Sequence, residues 1–133
     1  MIVKSIDAAR GRPAPRHFRG RRLNGELVQG EFERLTLILV IKEDCLGCRS
    51  VLEAPADAFG EVATMIVAAR ASREAGWEST PHRLLISELL LQELEVLYPP
   101  FYVLIDPAQQ EIVTEGVIFD SQQVREEIAP FLM

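Results

Sequence analysis

The stretch LTLILVIKEDCLGC, residues 35–48, decides the fold. Its first seven residues are apolar except for Thr36 and are rich in β-branched side chains. This composition and length are typical of a strand buried on both faces of a sheet that helices cover. Three charged residues end the apolar run, and Cys45 and Cys48 follow at once. We therefore expect a buried central strand at 35–41 with a pair of cysteines directly after it.

The two cysteines stand at the start of a predicted helix. Apolar residues between 46 and 59 have helical spacing, and Pro55 is expected to kink or split the helix. Cysteines three residues apart lie within one helical turn, so their sulfurs can reach disulfide distance. The free N–H groups of a helix start stabilise an anion and lower the pKa of a thiol there. We therefore expect Cys45 to be the attacking thiol and Cys48 the resolving thiol, with Gly47 keeping the turn slim enough for a partner chain to approach.

A metal site and an inert pair are the alternative interpretations of the cysteines. Zinc needs two further ligands, and the two histidines, His17 and His82, have no paired spacing with each other or with the cysteines. Each histidine is better explained as an ordinary surface or hydrogen-bonded side chain, and we expect no metal and no cofactor. The spacing alone leaves an inert, structural pair of cysteines open.

The composition predicts a single globular domain. The chain has 133 residues, of which 48% are hydrophobic and 26% are charged, which suits one domain that buries its own core. The longest uninterrupted apolar run, at 37–41, is far shorter than the roughly 18 residues that a membrane span requires. Two cysteines exclude a disulfide-rich scaffold and a four-thiolate metal or iron–sulfur site.

The formal charge of −6 is unevenly distributed along the chain. Residues 1–24 carry seven basic side chains and one acidic side chain, so the rest of the chain carries −12. A basic arm can bind nucleic acid or a membrane surface, but only His17 and Phe18 supply rings among the arginines. We therefore expect a solvated, partly ordered arm at 1–13, a single domain at 14–133, and no nucleic-acid partner.

The start of the chain, MIVKSID, contains no long apolar segment. A secretory signal needs an apolar stretch of about 7 to 15 residues behind its basic start. We therefore expect a cytoplasmic location, with an exported or membrane-tethered protein as the alternative if the chain is a trimmed form.

Both ends of the domain have clear local signals. Asn24 and Gly25 predict a hairpin with a type I′ turn, because both residue types tolerate positive φ angles. Residues 101–105 and 111–117 are predicted strands, and an amphipathic pattern predicts a closing helix at 120–132. Strands mixed with helices in this order indicate an α/β layer fold around a central sheet.

The middle of the chain is ambiguous. Residues 62–69 fit either a helix or a buried strand, because periodicity alone cannot separate the two. The segment 71–81 is a predicted loop whose final Thr-Pro pair suits a helix start. Residues 82–98 then form either one amphipathic helix, or a strand at 83–86 followed by a helix from about Ser87.

Several segments together resemble a known family. A buried strand runs into C-x-x-C at a helix start, and a proline, an apolar strand and an aspartate follow much later. This order resembles the thioredoxin superfamily. Three further features resemble its TlpA/MauD-like branch of thiol-disulfide oxidoreductases: APRHF at 14–18, the Asn-Gly hairpin, and PFYVLID at 100–106 with the strand and glycine of 111–116. The resemblance covers about residues 14–132, and within it 60–98 matches in layout more than in residues.

The resemblance implies a thioredoxin-like three-layer α/β/α sandwich with a central mixed sheet and an N-terminal β-hairpin extension. It favours a strand at 62–68. It implies that Cys45 and Cys48 are the redox pair and that Pro100 is a cis-proline packed beside them. The positions expected to contact a substrate are Leu46, Gly47 and Pro99.

Three residues near the cysteines depart from the pattern of that family. Pro99, directly before the expected cis-proline, has no N–H to offer to a bound peptide. Asp44 stands where thioredoxins have an aromatic residue, and its charge opposes thiolate formation at Cys45. Pro55 lies two positions later than the corresponding family proline.

Two further departures concern the second cysteine. Leu39 and Val51 stand where thioredoxins and the TlpA-like branch have acidic residues. No obvious proton acceptor therefore remains for Cys48, unless Glu43 or Glu53 folds into reach.

The leading hypothesis is a thiol-disulfide oxidoreductase, acting as a reductase on a protein or small-molecule thiol or disulfide. The alternative is a thioredoxin-fold binding or regulatory module with little or no turnover, which the departures motivate. A peroxiredoxin-type peroxidase is a weaker third hypothesis, because residues 40–44 lack the Pro and Thr of a peroxidatic pocket. The sequence leaves the physiological partner and the oligomeric state open.

Overall fold

The apolar run before the cysteines forms a strand, Thr36–Val40, whose five residues are all buried. The structure is a computed structural model, and it describes residues 12–96 and 98–132. Leu37 and Leu39 belong to the core cluster on one side of the sheet, and Ile38 and Val40 to the cluster on the other. Successive side chains of a strand point to opposite faces, so this strand is buried on both, as predicted.

The described residues form eight strands, three α-helices and a short 3₁₀ helix. They are β1 (Arg12–Pro13), β2 (His17–Arg21), β3 (Leu27–Glu31), β4 (Thr36–Val40), α1 (Leu46–Glu53), β5 (Ala63–Ala68), β6 (Arg83–Ile86), α2 (Glu88–Leu94), β7 (Phe101–Asp106), β8 (Glu111–Val117), α3 (Ser121–Ile128) and the 3₁₀ helix (Ala129–Phe131). The strands make one sheet in the order β1-β8-β7-β4-β5-β6-β2-β3. β4, β5 and β6 run parallel, whereas β7 and β8 are antiparallel to their neighbours.

The sheet separates two apolar layers. Residues of α1 and α3 share one core cluster with β4, β5 and β7. Residues of α2 and of the β2–β3 hairpin share the opposite cluster. The result is a three-layer α/β/α sandwich with a central mixed sheet and an N-terminal hairpin, which confirms the predicted fold class.

The hairpin forms where it is expected, but its turn differs from the expectation. The Gly25 N–H donates to the Arg22 carbonyl at 2.9 Å, and the Arg22 N–H donates to the Glu26 carbonyl at 2.8 Å. Gly25 has a φ of +92°, whereas Asn24 has no positive φ. This is a type I turn followed by one left-handed residue, so the type I′ turn is wrong. The Asn24 side chain instead accepts the Glu26 N–H at 2.9 Å.

The middle of the chain follows the second of the two alternatives. Residues 62–69 contain strand β5, as the resemblance favours, and 83–86 form β6. Ser87 caps α2 by accepting the Leu90 N–H at 3.1 Å. The helix start expected at the Thr-Pro pair is wrong, because the Thr80 hydroxyl donates to the Leu52 carbonyl at 2.7 Å and the chain continues into β6.

The C-terminal end of α1 is held by buried polar groups. Ala54 ends the helix directly before Pro55, which therefore splits the apolar pattern of 46–59 as expected. His82 is buried, and its Nε2 donates to the Ala54 carbonyl at 2.9 Å while its Nδ1 accepts from the Thr64 hydroxyl at 3.1 Å. Burial lowers the pKa of His82 below its ordinary value.

The first described strand ties the start of the domain to the far edge of the sheet. β1 pairs with β8, and the Arg12 guanidinium makes two hydrogen bonds of 2.8 Å to the Glu115 carboxylate. The same side chain donates to the Leu94 carbonyl at 2.6 Å, at the end of α2. Two residues of the predicted 1–13 arm thus pair with the sheet, and 1–11 lie outside the described residues.

Strand register brings the candidate site together. Val40 at the end of β4 pairs with Phe101 at the start of β7 in antiparallel register. The residues that follow Val40 therefore lie beside those that precede Phe101. This register places the turn that carries Cys45 and Cys48 against Pro100, which is more than fifty residues away in sequence.

Candidate active site

Cys45 and Cys48 form a disulfide at the first turn of α1, with their Cα atoms 5.2 Å apart. Cys45 is the N-cap residue of the helix, and its Sγ accepts the Cys48 N–H at 3.2 Å. The Arg49 N–H also donates to the Cys45 carbonyl, at 3.1 Å. A sulfur at this position faces the positive end of the helix dipole, which stabilises negative charge on it.

The two sulfurs have unequal surroundings. Cys45 is half-buried, whereas only 1% of the surface of Cys48 is exposed. Cys48 packs in the core cluster with Val51 and Leu52, and its Sγ accepts the Lys42 N–H at 3.4 Å. A substrate can therefore approach Cys45 directly, while Cys48 is shielded by the fold.

Pro100 lies against the turn that carries the cysteines. The Pro99–Pro100 peptide bond is cis, which is the geometry that the resemblance implies. A Cβ atom built on Gly47 would stand 3.1 Å from Cγ of Pro100, so the glycine backbone and the proline ring are in contact. The Pro100 carbonyl accepts the Ile118 N–H at 3.0 Å, which anchors this bend to the end of β8.

Four exposed apolar side chains belong to the segments that meet at Pro100. Leu46, between the cysteines, is 83% exposed, and Phe119, directly after Ile118, is 82% exposed. Tyr98, which directly precedes the Pro-Pro bend, is also exposed. So is Val117, which pairs with Phe101 directly after the bend. We call these four residues, Leu46, Tyr98, Val117 and Phe119, the apolar rim. Large apolar side chains exposed on adjoining segments indicate a contact site for another molecule.

A groove of about 780 Å³ opens between α2 and the carboxyl ends of β4 and β5. Its apolar lining includes Val40, Leu91, Val96 and Pro99. Lys42 lines both this groove and the cleft that contains the disulfide. The loop before Cys45 therefore contributes to both depressions.

The two positions at which the related family has acidic residues are occupied here by buried apolar side chains. Leu39 and Val51 are both buried in the core cluster that contains Cys48. Of the two glutamates considered as substitutes, Glu43 lines the large groove and Glu53 lies in a separate depression at the other end of α1. Neither lines the cleft around the cysteines.

An acidic residue that the sequence reasoning missed does line that cleft. Glu74, from the segment between β5 and β6, accepts the Asp44 N–H through Oε2 at 2.9 Å. Trp77 from the same segment is buried beside the redox pair. Both lie about thirty residues after the cysteines in a segment without regular structure, and no local motif pointed to them.

Neither histidine lies among the residues that line the disulfide cleft. His17 is exposed and 3.1 Å from Glu31, and His82 is the buried residue that holds the end of α1. Within the ranges that the structure describes, no group of three His, Cys, Asp or Glu side chains is placed to hold a metal ion. No helix in these ranges is both long and apolar enough to cross a bilayer.

Solved structures to which this chain is similar include thiol-disulfide oxidoreductases. The thioredoxin domain of a thiol-disulfide oxidoreductase from Bacteroides vulgatus is 17% identical, with a TM-score of 0.67 over 94% of this chain and 99% of that one. A thiol:disulfide interchange protein from a Bacteroides species is 18% identical, with a TM-score of 0.62 over 93% and 90%. A thio-disulfide isomerase from Thermus thermophilus is 14% identical, with a TM-score of 0.64 over 92% and 95%. No protein-family model matches the chain, and no curated protein matches it.

Proposed function

We propose that this protein, which has the thioredoxin-like fold of those oxidoreductases, is itself a thiol-disulfide oxidoreductase. Cys45 is the nucleophile, Cys48 the resolving thiol, and Pro100 the residue that shapes the site beside them. The observation that carries the proposal is the unequal exposure of the two cysteines of one disulfide, with Cys45 half-buried and Cys48 buried. A structural disulfide has no need for an accessible sulfur at a helix start.

In the reducing direction the dithiol form reacts first. The Cys45 thiolate attacks one sulfur of a substrate disulfide, the substrate S–S bond breaks, and the first product leaves as a thiolate. Cys48 then loses its proton and attacks Sγ of Cys45, which breaks the mixed disulfide and releases the second product. Two electrons pass to the substrate, and the two thiol protons of the protein end on the two product thiols.

Backbone N–H groups serve both steps. The Cys48 N–H points at Sγ of Cys45, and the Lys42 N–H points at Sγ of Cys48. Each sulfur therefore has one donor in place when it carries negative charge. These donors belong to the backbone, so they remain whatever side chains surround the loop.

The substrate class that fits the surface is a protein with apolar residues beside its cysteine. The apolar rim belongs to the segments that meet at Pro100, and Leu46 and Gly47 form the exposed turn that a substrate must approach. Pro99 offers a carbonyl but no N–H to an extended chain. Side-chain contacts with the rim, rather than paired backbone hydrogen bonds, would therefore supply most of the affinity.

The proposed direction is reduction, in a reducing compartment such as the cytoplasm. Asp44 supports this direction. A carboxylate next to Cys45 destabilises the Cys45 thiolate, and this makes the dithiol form of the protein a stronger reductant. Thiol trapping in cells tests it. We expect most of the protein to be found as the dithiol, and a fully oxidised pool would reverse the assigned direction.

The activity itself is tested by reduction of insulin with dithiothreitol as the electron source. We expect the wild type to accelerate the reaction and Cys45→Ser to abolish the acceleration. Reduced Cys48→Ser, mixed with substrate after the dithiothreitol has been removed, should form a stable mixed disulfide through Cys45, because the resolving step is missing. Ser50→Ala, on the exposed side of the same helix, is the matched control and should behave as the wild type. Acceleration by Cys45→Ser would sink the nucleophile assignment.

A binding or regulatory module is the second candidate, and the apolar surroundings of Cys48 favour it. With Leu39 and Val51 buried beside it, the resolving thiol lacks the acidic neighbour that usually removes its proton. This candidate predicts that the wild type forms the mixed disulfide with substrate but resolves it slowly. Single-turnover kinetics separate the two, since only an oxidoreductase releases the second product on the timescale of the first.

A further inference from the structure

Glu74 connects the segment between β5 and β6 to the loop before the redox pair. Its Oε2 accepts the Asp44 N–H at 2.9 Å across a sequence separation of thirty residues. Asp44 directly precedes Cys45, the cap of α1. A side chain remote in sequence thus controls the backbone one residue from the nucleophile.

The backbone that carries Glu74 is itself anchored. The Glu74 N–H donates to the Ser72 hydroxyl at 3.1 Å, and the Trp77 N–H donates to the Glu74 carbonyl at 3.4 Å. Ser72 and Trp77 are both buried. The Glu74 carboxylate therefore extends from a turn that is held at both ends.

Asp44 needs such support because of its backbone conformation. Its φ is +56°, in the left-handed region that side-chain-bearing residues adopt at a cost. The hydrogen bond from its N–H to Glu74 stabilises this conformation. The same conformation orients the next residue, Cys45, so that its sulfur caps the helix.

The two carboxyl groups also interact with each other. Glu74 raises the pKa of Asp44, first by hydrogen bonding and then by like charge, and Glu43 raises it further while Lys42 lowers it. Arg49 of α1 lines the same cleft of about 260 Å³, together with both cysteines. Two acidic groups and their basic neighbours thus surround a small space next to the disulfide.

We propose that Glu74 is a positioning residue of the redox pair: it fixes the backbone at Asp44 and, with the Asp44 carboxylate, places negative charge beside Cys45. This charge opposes the Cys45 thiolate and makes the dithiol a stronger reductant. In the exchange with glutathione, two glutathione thiols give two electrons and two protons to the Cys45–Cys48 disulfide and become one glutathione disulfide. Destabilising the Cys45 thiolate shifts this exchange equilibrium toward the protein disulfide and the glutathione thiols.

Glu74→Gln and Glu74→Ala distinguish the effect of the Glu74 charge from the effect of its hydrogen bond with the Asp44 N–H. The glutamine amide oxygen can still accept the Asp44 N–H, whereas alanine cannot. Loss of one nearby charge lowers the pKa of a thiol by about half a unit to one unit, so we expect both variants to alkylate Cys45 about 3- to 10-fold faster at a pH below that pKa. The equilibrium constant with glutathione, measured above the Cys45 pKa of each protein, should shift toward the dithiol by the same factor.

Hydrogen exchange at the Asp44 amide reports the positioning part. We expect slow exchange in the wild type and in Glu74→Gln, and faster exchange in Glu74→Ala. Glu93→Gln, an exposed glutamate of α2 on the opposite face of the sheet, is the charge control and should change neither measurement. An unchanged Cys45 alkylation profile in Glu74→Gln, or an equal change in Glu93→Gln, would overturn the proposal.

The inference rests on the proposed function, but the two can fail separately. Alkylation and amide exchange need no substrate turnover, so they remain measurable in a protein that does not reduce insulin. A wild type without insulin reduction, combined with the expected alkylation change, would remove the activity and keep the role of Glu74. Normal insulin reduction with no alkylation change would do the reverse.

Discussion

The exposed start of α1 and the buried side of the same helix lie within one turn of each other, yet they place their cysteines in different surroundings. Leu46 and Gly47 are exposed, Gly47 contacts Pro100, and Cys45 is half-buried. Cys48 and Val51 face the core. The difference teaches that two cysteines of one short motif can differ in exposure within a single turn, because only the second faces the packed core.

Among the variants that test the difference between the two sides of the helix, Leu39→Ala is expected to change the free energy of unfolding most. Leu39 is fully buried in the cluster with Cys48, and replacing a buried leucine by alanine costs about 3 kcal/mol, since a cavity remains. We expect the free energy of unfolding in urea to fall by that amount.

Leu89→Ala is the control for the buried side of the helix. Leu89 is 54% exposed on α2, so its truncation should change the free energy of unfolding by less than about 0.5 kcal/mol. Equal losses in the two variants would show that the Cys48 side is not the packed core described above.

Alkylation of the reduced protein measures the contrast between the cysteines directly. Cys45 is accessible, whereas Cys48 can react only after local opening of the first turn. We expect Cys45 to react about 100-fold faster than Cys48, which corresponds to an opening free energy of about 3 kcal/mol. Mass spectrometry of proteolytic fragments assigns the two rates, and similar rates would end the distinction between attacking and resolving thiols.

Gly47→Ala changes the exposed start of the helix and leaves its buried side intact. The new Cβ would meet Cγ of Pro100 at 3.1 Å, so the turn and the proline must separate by a few tenths of an ångström. Alanine gains up to about 1 kcal/mol of helix propensity over glycine, which offsets the crowding. We therefore expect nearly unchanged stability but insulin reduction slowed by about 5-fold, on the order of 1 kcal/mol in the barrier.

Ser50→Ala gives the comparison for that variant. Ser50 is exposed on the same helix, and its replacement changes helix propensity without touching Pro100. Should Gly47→Ala reduce insulin as fast as Ser50→Ala does, the contact with Pro100 has no part in turnover.

His82→Gln tests the far end of α1, and its effect depends on pH. Burial lowers the pKa of His82 below 6.5 in the folded protein, so the unfolded chain binds a proton more readily. The stability from neutral His82 is therefore complete above about pH 6.5 and is lost as the pH falls toward the folded pKa. We expect the free energy of unfolding of the wild type to fall more steeply below that pH than that of His82→Gln. Parallel pH profiles would contradict the buried, neutral role of this histidine.

Local signals predicted the elements at both ends of the domain and left the middle undecided. β4, β7 and β8 follow from apolar runs between turn residues, and these signals act over a few residues. The segment 82–98 had two interpretations, because Arg83–Ile86 becomes a strand only by pairing with β5. Thr80 looked like a helix cap, but a tertiary hydrogen bond to Leu52 uses its hydroxyl instead.

The residues of the candidate site also divide into those that a sequence pattern indicated and those that no pattern indicated. The cysteines, Pro99 and Pro100 were found from spacing and from a family resemblance. Glu74 was not found, because it acts through a single hydrogen bond to Asp44 from a segment with no motif of its own. Side chains that act across thirty residues leave no periodic pattern for a sequence to display.

The sequence by itself determined that a buried strand runs into a C-x-x-C pair at a helix start, because strand burial and helix capping are properties of neighbouring residues. Only the tertiary structure decided which acidic residue from outside the motif lines the cleft of the cysteines, and what Pro100 touches. The reason is that the register of β4 against β7 and the path of the segment between β5 and β6 are set by the packing of the whole sheet. Contacts between residues so far apart exist only once that packing is complete.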